Sequence, residues 1–130
     1  MEMYNNVPVQ VVDYVNLTPH KVNVYDLDGK TLLFTVHPSG TVARATQSNV
    51  LVKYHKVRNF DGVMVPVQKP TFGEVSGLPS FDEEKILLIS RITGEAAVKS
   101  GRTDEDLAVP GTGVRDENGV IIGCTGVCTL

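Results

Sequence analysis

The stretch Lys85–Gly101, KILLISRITGEAAVKSG, joins a continuous apolar run to the only good helical pattern of the chain. Its first part, Ile86 to Ile89, contains no alternating polar residue. A strand that is covered on both faces has this composition, because neither side of it meets water. The stretch therefore predicts a buried strand that leads directly into a helix packed on a sheet.

The helix has a suitable residue at each end. Ser90 or Thr93 can act as the N-cap, and Gly101 is a natural residue for the position after the last turn. These signals predict a helix near residues 91–100. The face that we expect to pack against the sheet contains Ile92, Ala96 and either Val98 or the stem of Lys99.

Outside this stretch, most segments alternate with a period of two residues, which is typical of strands. Three dipeptides between such segments favour tight hairpin turns: Asp28-Gly29, Asp61-Gly62 and Asn118-Gly119. The pattern predicts an α+β domain, mostly antiparallel, with about eight short strands in a barrel or sandwich and one helix. Its 130 residues fit a single domain over residues 1–130.

The strand after Asp61-Gly62 carries both valines and prolines. Val63, Val65 and Val67 alternate, and the alternation predicts that they face inward. Pro66 and Pro70 have no N–H for a ladder, so this strand is expected at a sheet edge or to end early.

Composition excludes several classes of protein. The formal net charge of -3 argues against general nucleic-acid binding, and no apolar run approaches the length of a membrane span. With no basic and then apolar leader, we expect a cytoplasmic protein. Cys124 and Cys128 are the only cysteines and have no second ligand pair, so we expect buried reduced thiols, no metal site and no cofactor.

The segment NLTPHKVNVYD, residues 16–26, places a corner before an alternating run. The Thr18 hydroxyl can cap a turn, and strict alternation places His20 on the same face as Val22 and Val24. Two interpretations of His20 stay open. Its imidazole is either half-buried and bonded to a local carbonyl, or it contacts a ligand at the rim of the sheet.

Four arginines lie at or near the ends of predicted elements: Arg44, Arg91, Arg102 and Arg115. A guanidinium presents a planar fork of donors that suits phosphate or carboxylate. Arg91 also stands at the helix N-terminus, whose free amides favour anions. The alternative is that Arg102 with Asp104, and Arg115 with Asp116, form solvated surface pairs.

Phe72 and Glu74 complete the candidate ligand-binding residues. The ring of Phe72, beside Gly73, offers a surface on which a base can stack, and Glu74 can accept a hydrogen bond from its exocyclic amine. In the alternative interpretation Phe72 is a core residue. No sequence motif assigns a catalytic residue.

A series of short motifs runs through residues 16–126: NLTPH (16–20), PSG (38–40) with AR (43–44), FGEV (72–75) with LP (78–79), ISR (89–91), GRTD (101–104) and VRD (114–116). Together they resemble a family of small uncharacterised proteins of bacteriophages and scattered bacterial genomes, which has no assigned activity. The resemblance implies a bacteriophage setting and no particular reaction.

That setting suggests three hypotheses. The first is an accessory binding protein in the host cell cytosol, a homo-oligomer that sequesters an anionic, nucleotide-like signal of host immunity without turnover. The second is a structural or interaction protein, such as a virion component or a protein-binding inhibitor. The third is a small hydrolase that uses His20 and Glu74 as acid and base.

Overall fold

The computed structural model describes all residues, Met1–Leu130. The chain forms ten strands and one helix, which are joined by turns and loops. The elements are β1 (Met3–Tyr4), β2 (Val7–Pro8), β3 (Asp13–Asn16), β4 (Val22–Tyr25), β5 (Leu32–Val36), β6 (Arg44–Lys56), β7 (Met64–Ser76), β8 (Lys85–Leu88), α1 (Arg91–Lys99), β9 (Leu107–Arg115) and β10 (Ile121–Cys128).

Six strands form a sheet in the order β3-β8-β9-β10-β4-β5. Its two edge strands approach each other, and a parallel bridge between Asn16 and Pro38 joins the end of β3 to the residues just after β5. The sheet is therefore a nearly closed barrel. The predicted α+β class, rich in strands and barrel-like with one helix, is confirmed.

The three predicted turns each connect an antiparallel pair: β4 with β5, β6 with β7, and β9 with β10. The sequence did not indicate the parallel pairs. β8 lies parallel to both β3 and β9, and β10 lies parallel to β4. These pairings join strands that no tight turn connects, so no local turn signal marks them.

The apolar run around β8 is buried on both faces, as predicted. Leu88 packs inside the barrel, in a cluster with Val24, Val36 and Ala108. Leu87 and Ile89 point to the other face, in a cluster that includes Ala97 of α1. The run has no polar alternation because the barrel interior lies on one side and the helix on the other.

Both predicted ends of α1 are confirmed. The Ser90 hydroxyl accepts a hydrogen bond from the Thr93 amide at 3.2 Å, which makes Ser90 the N-cap. After the last turn Gly101 takes a φ of 96°, and the Arg102 amide donates to the Ala97 carbonyl, as in a Schellman motif.

The prediction of which helix residues are buried was only partly right. Ala96 is buried, but Ile92 and Val98 are 49% and 41% exposed. The buried positions carry small side chains, Thr93, Gly94, Ala96 and Ala97. This narrow face lets the helix lie close to the sheet, and the larger apolar side chains beside it stay outside. No helix in the structure has the length and apolar character that crossing a membrane requires.

Strands β6 and β7 are each 13 residues long and form a separate two-stranded sheet, which we call the arm. These two strands are longer than the short strands that the sequence predicted. The arm also overturns the inward placement of the valines, because Val63 and Val65 are 42% and 43% exposed. Both prolines lie within β7, which does not end early; with only two strands in the sheet, it is an edge strand.

Gly77 joins the arm to the barrel through a close backbone approach. Its φ is 84°, and a Cβ at this position would lie 2.6 Å from the Val42 carbonyl oxygen. Only glycine meets both conditions without strain. The base of the arm is thereby fixed against the segment that enters it.

The two cysteines are free, and they differ in exposure: Cys124 is buried and Cys128 is exposed. The expectation that both thiols are buried is wrong for Cys128. Burial raises the pKa of Cys124, so less of the reactive thiolate is present at neutral pH.

We expect a thiol reagent to modify one cysteine rapidly in the native protein and both cysteines in denaturant. Peptide mass mapping should assign the rapidly modified site to Cys128. Rapid native labelling of Cys124 would contradict the described packing.

Candidate functional site

The Thr-Pro-His corner is organised by a buried asparagine. The Asn16 side-chain amide donates to the carbonyls of His20 and Val36 at 2.8 and 3.0 Å. The Asn16 side-chain oxygen accepts from the amide of Thr18 at 2.9 Å and from its hydroxyl at 2.6 Å. The Asn16 side chain thus caps the corner, and the Thr18 hydroxyl contributes to it by also donating to the His20 carbonyl at 3.0 Å.

His20 does not lie on the buried face that alternation predicted. It is exposed, because β4 begins only at Val22 and the corner interrupts the alternation before it. The main-chain carbonyl of His20 takes part in the corner. A half-buried imidazole bonded to a local carbonyl is therefore not what the structure contains.

A cleft of about 310 Å³ lies between this corner, the start of the arm and the N-terminus of α1. Its lining consists of Leu17, Thr18, Pro19, Val42, Ala43, Arg44, Ala45, Ser90, Ile92 and Thr93. We call it the corner cleft. Two residues of the predicted set, Thr18 and Arg44, contribute to it, and Arg91 lies in the chain between two lining residues.

Arg44 supplies the only charged side chain among the residues that line the corner cleft. It is the first residue of β6 and is exposed. The two ion pairs of the protein involve other residues, so no carboxylate neutralises this guanidinium. Its donors are free for an anion from solution.

The N-terminus of α1 adds main-chain donors at the same cleft. The first amides of a helix have no acceptor within the helix, and here Ser90 satisfies only that of Thr93. The amides of Arg91 and Ile92 therefore carry the partial positive charge of the helix end. Arg91 adds an exposed guanidinium at this end.

Phe72 lines a different cleft, of about 340 Å³, where β7 meets the C-terminal half of α1. Its ring is half-buried, and the Lys99 ammonium lies 5.8 Å from the ring centroid, within the range of a cation–π contact. Lys69 also lines this cleft. The prediction did not include either lysine, because only the packing of the helix on the arm brings them together.

Arg102 has a structural role. It donates to both carboxylate oxygens of Asp106, at 2.7 and 2.9 Å, and to the carbonyls of Pro79 and Thr103. The ion pair involves Asp106 and not Asp104, and Asp106 is buried, so the alternative of a solvated surface pair is wrong for Arg102.

The remaining candidates do not line the corner cleft. Arg115 donates to the carbonyl of Gly119 at 2.7 Å and closes the β9–β10 turn, with no ion pair to Asp116. Glu74 is exposed. Neither Glu74 nor His20 lines the corner cleft or the cleft beside Phe72. No group of three or more His, Cys, Asp or Glu side chains is placed to hold a metal ion.

No family model, curated protein or solved structure matches this chain. The resemblance to the bacteriophage family therefore stays a prediction. A function for this protein has to be inferred from the residues that meet at the corner cleft.

Proposed function

We propose that the protein is a phage-type accessory binding protein that sequesters an anionic, nucleotide-like small molecule without turning it over. The observation that carries the proposal is that Arg44, whose guanidinium has no ion pair, and the first residues of α1 line one concave cleft. Phosphate is the ligand chemistry that such a combination favours.

The charge of the corner cleft supports an anion. No acidic residue lines it, and its volume lies at the lower end of the range for small-molecule sites. A ligand with a phosphate at one end would place that group between Arg44 and the helix end. The rest of the ligand would lie along the apolar lining and outside the cleft.

The lining also supports binding without turnover. It contains no His, Cys, Asp or Glu that could serve as a general acid or base. The three hydroxyls that it contains are already hydrogen-bonded within the protein: Thr18 to Asn16, Ser90 to Thr93, and Thr93 to the Ala43 carbonyl at 3.4 Å. A nucleophile would need a base beside it, and none lines the cleft.

The wider setting rests on the sequence motifs. A role in the host cell cytosol, a nucleotide signal of host immunity as the ligand, and assembly into a homo-oligomer are proposals that the resemblance supports. A structural or interaction protein is the second candidate, and the exposed apolar surface of the arm favours it.

A melting screen tests the proposal. The probes are a cyclic dinucleotide panel, ADP-ribose and inorganic phosphate. A ligand at a hundred times its Kd stabilises the folded state by roughly 2.7 kcal/mol, which raises the Tm of a domain of this size by about 10 °C. Mass spectrometry of the denatured complex should recover the ligand unaltered, and a released product would contradict sequestration.

The residue test is Arg44→Ala. Loss of a charged hydrogen bond should weaken binding of the active probe about tenfold or more. The matched control is Arg58→Ala, which removes the same charge in the turn between β6 and β7, away from the cleft, and should bind as wild type. Wild-type affinity in both Arg44→Ala and Arg91→Ala would exclude the corner cleft as the site.

A further inference from the structure

The two faces of the arm differ in composition. Directly paired residues share a face, and the register pairs Leu51 with Gln68, Tyr54 with Pro66, and Lys56 with Met64. We call this face of the arm the outer apolar face; it extends from the pair of Asn49 and Pro70 to the tip. The opposite face pairs Val50 with Lys69, Lys53 with Val67, and His55 with Val65, so two lysines and a histidine are distributed along it.

The outer apolar face continues a surface that is covered at its base. The same face of the arm carries Phe72 and Val75 near the barrel, where α1 packs on them. Beyond the helix nothing covers it: Leu51 is 49% exposed, Tyr54 55% and Met64 56%. A two-stranded sheet without a covered face is marginal in water, because it buries too little apolar surface.

The chain also exposes more solvent-accessible surface than a compact monomer of its mass. A compact monomer of 14.1 kDa exposes about 6,700 Å², whereas this chain exposes 9373 Å². The excess is several times the roughly 800 Å² that each partner buries in a standard interface. The arm is the largest part of the chain outside the barrel, so it contributes much of this excess.

We propose that the outer apolar face is a dimerisation surface, occupied by the same face of a second copy of this chain. An apolar surface with one charged residue at its tip, Lys56, is self-complementary, and a two-fold contact between identical faces gives a closed dimer. The proposal deepens the homo-oligomer of the proposed function by naming its surface.

The prolines favour contact through the face over pairing through the edge of β7. Within a regular antiparallel ladder, the N atoms of positions 64, 66, 68 and 70 point away from β6, and Pro66 and Pro70 lack the N–H there. Two of these four donors are therefore missing. A second copy that covers the face needs none of them.

Sedimentation of the wild-type chain over a dilution series is the first test. We expect a species of at least twice the mass of one chain that dissociates on dilution. A wild-type chain that is a monomer at every concentration would overturn the proposal, and this measurement depends on no variant.

Leu51→Glu and Val50→Glu form a matched pair for the second test. The two residues are neighbours with 49% and 51% exposure, and they lie on opposite faces of the arm. Leu51→Glu should raise the dimer dissociation constant roughly a hundredfold or more, because the two-fold axis buries the new charge twice. Val50→Glu should sediment as wild type.

Equal association of both variants, or loss of association only in Val50→Glu, would overturn the assignment of the face. Circular dichroism checks that each variant folds. If Leu51→Glu does not fold, Tyr54→Lys and His55→Lys repeat the comparison, because these two residues also lie on opposite faces of the arm. The melting screen is independent of this result. A dimer without any nucleotide shift contradicts the proposed ligand and not the arm, whereas a monomer with an Arg44-dependent shift contradicts the arm and not the ligand.

Discussion

Replacement of Arg102 by alanine is expected to lower the free energy of unfolding by about 3–5 kcal/mol. Asp106 is 1% exposed, and its two carboxylate oxygens both accept from the Arg102 guanidinium. Without Arg102 the carboxylate stays buried with no cation beside it. The hydrogen bond to Asp106 also raises the pKa of Arg102, so the guanidinium stays charged across the usual pH range.

Urea unfolding measures this effect, and the chain supplies its own control. Lys85 and Asp82 form the other ion pair, 3.9 Å apart and about half exposed, so Lys85→Ala should cost less than about 1 kcal/mol. The double variant Arg102→Met with Asp106→Leu should recover most of the loss, because it removes both charges of the buried pair. A cost for Arg102→Ala no larger than that for Lys85→Ala would contradict the described burial of the pair.

The sequence predicted the parts of the fold that neighbouring residues determine. Each of the three turn dipeptides closes a hairpin, and Ser90 and Gly101 end the helix where expected. A turn or a cap depends on a few consecutive residues, so its signal is local. The parallel pairs that help close the barrel join segments that no tight turn connects, and no short pattern indicates them.

The arm marks the limit of pattern analysis. The alternation of Val63, Val65 and Val67 indicated a strand, and β7 contains the last two of them, but alternation says nothing about what covers a face. The prediction assumed a core beneath these valines, whereas β7 pairs only with β6 and extends from the barrel. An exposed face of a two-stranded sheet can carry the same alternating pattern as a face that covers a core.

The candidate site was predictable to a similar extent. Arg44 and the helix start were found because an element boundary brings a side chain to an end of the sheet. Arg102 satisfied the same criterion, yet it pairs with Asp106, and the segment offers three acids among which sequence alone does not choose. Lys99 was omitted because its proximity to Phe72 arises from tertiary packing.

Asn16→Ala is expected to cost about 4 kcal/mol or more, which is a large share of the stability of an ordinary domain. The main chain of Asn16 bridges Leu88 on one side and Pro38 on the other, so this residue lies where the barrel closes. Alanine would leave the buried Val36 carbonyl and the Thr18 amide without their partners. Each unpaired group costs about 1–3 kcal/mol, and the cavity adds to that cost.

Asn23→Ala is the control, because its side chain makes two hydrogen bonds in a more exposed position: it donates to the Ile122 carbonyl at 2.9 Å and accepts from the Thr35 hydroxyl at 2.7 Å. It should cost about 1–2 kcal/mol, less than Asn16→Ala. Asn16→Asp separates hydrogen bonding from volume, since it keeps the size but presents an oxygen to the carbonyls of His20 and Val36. If Asn16→Asp were as stable as wild type, the amide would not be holding the corner, and the barrel would have to close through its backbone bridge alone.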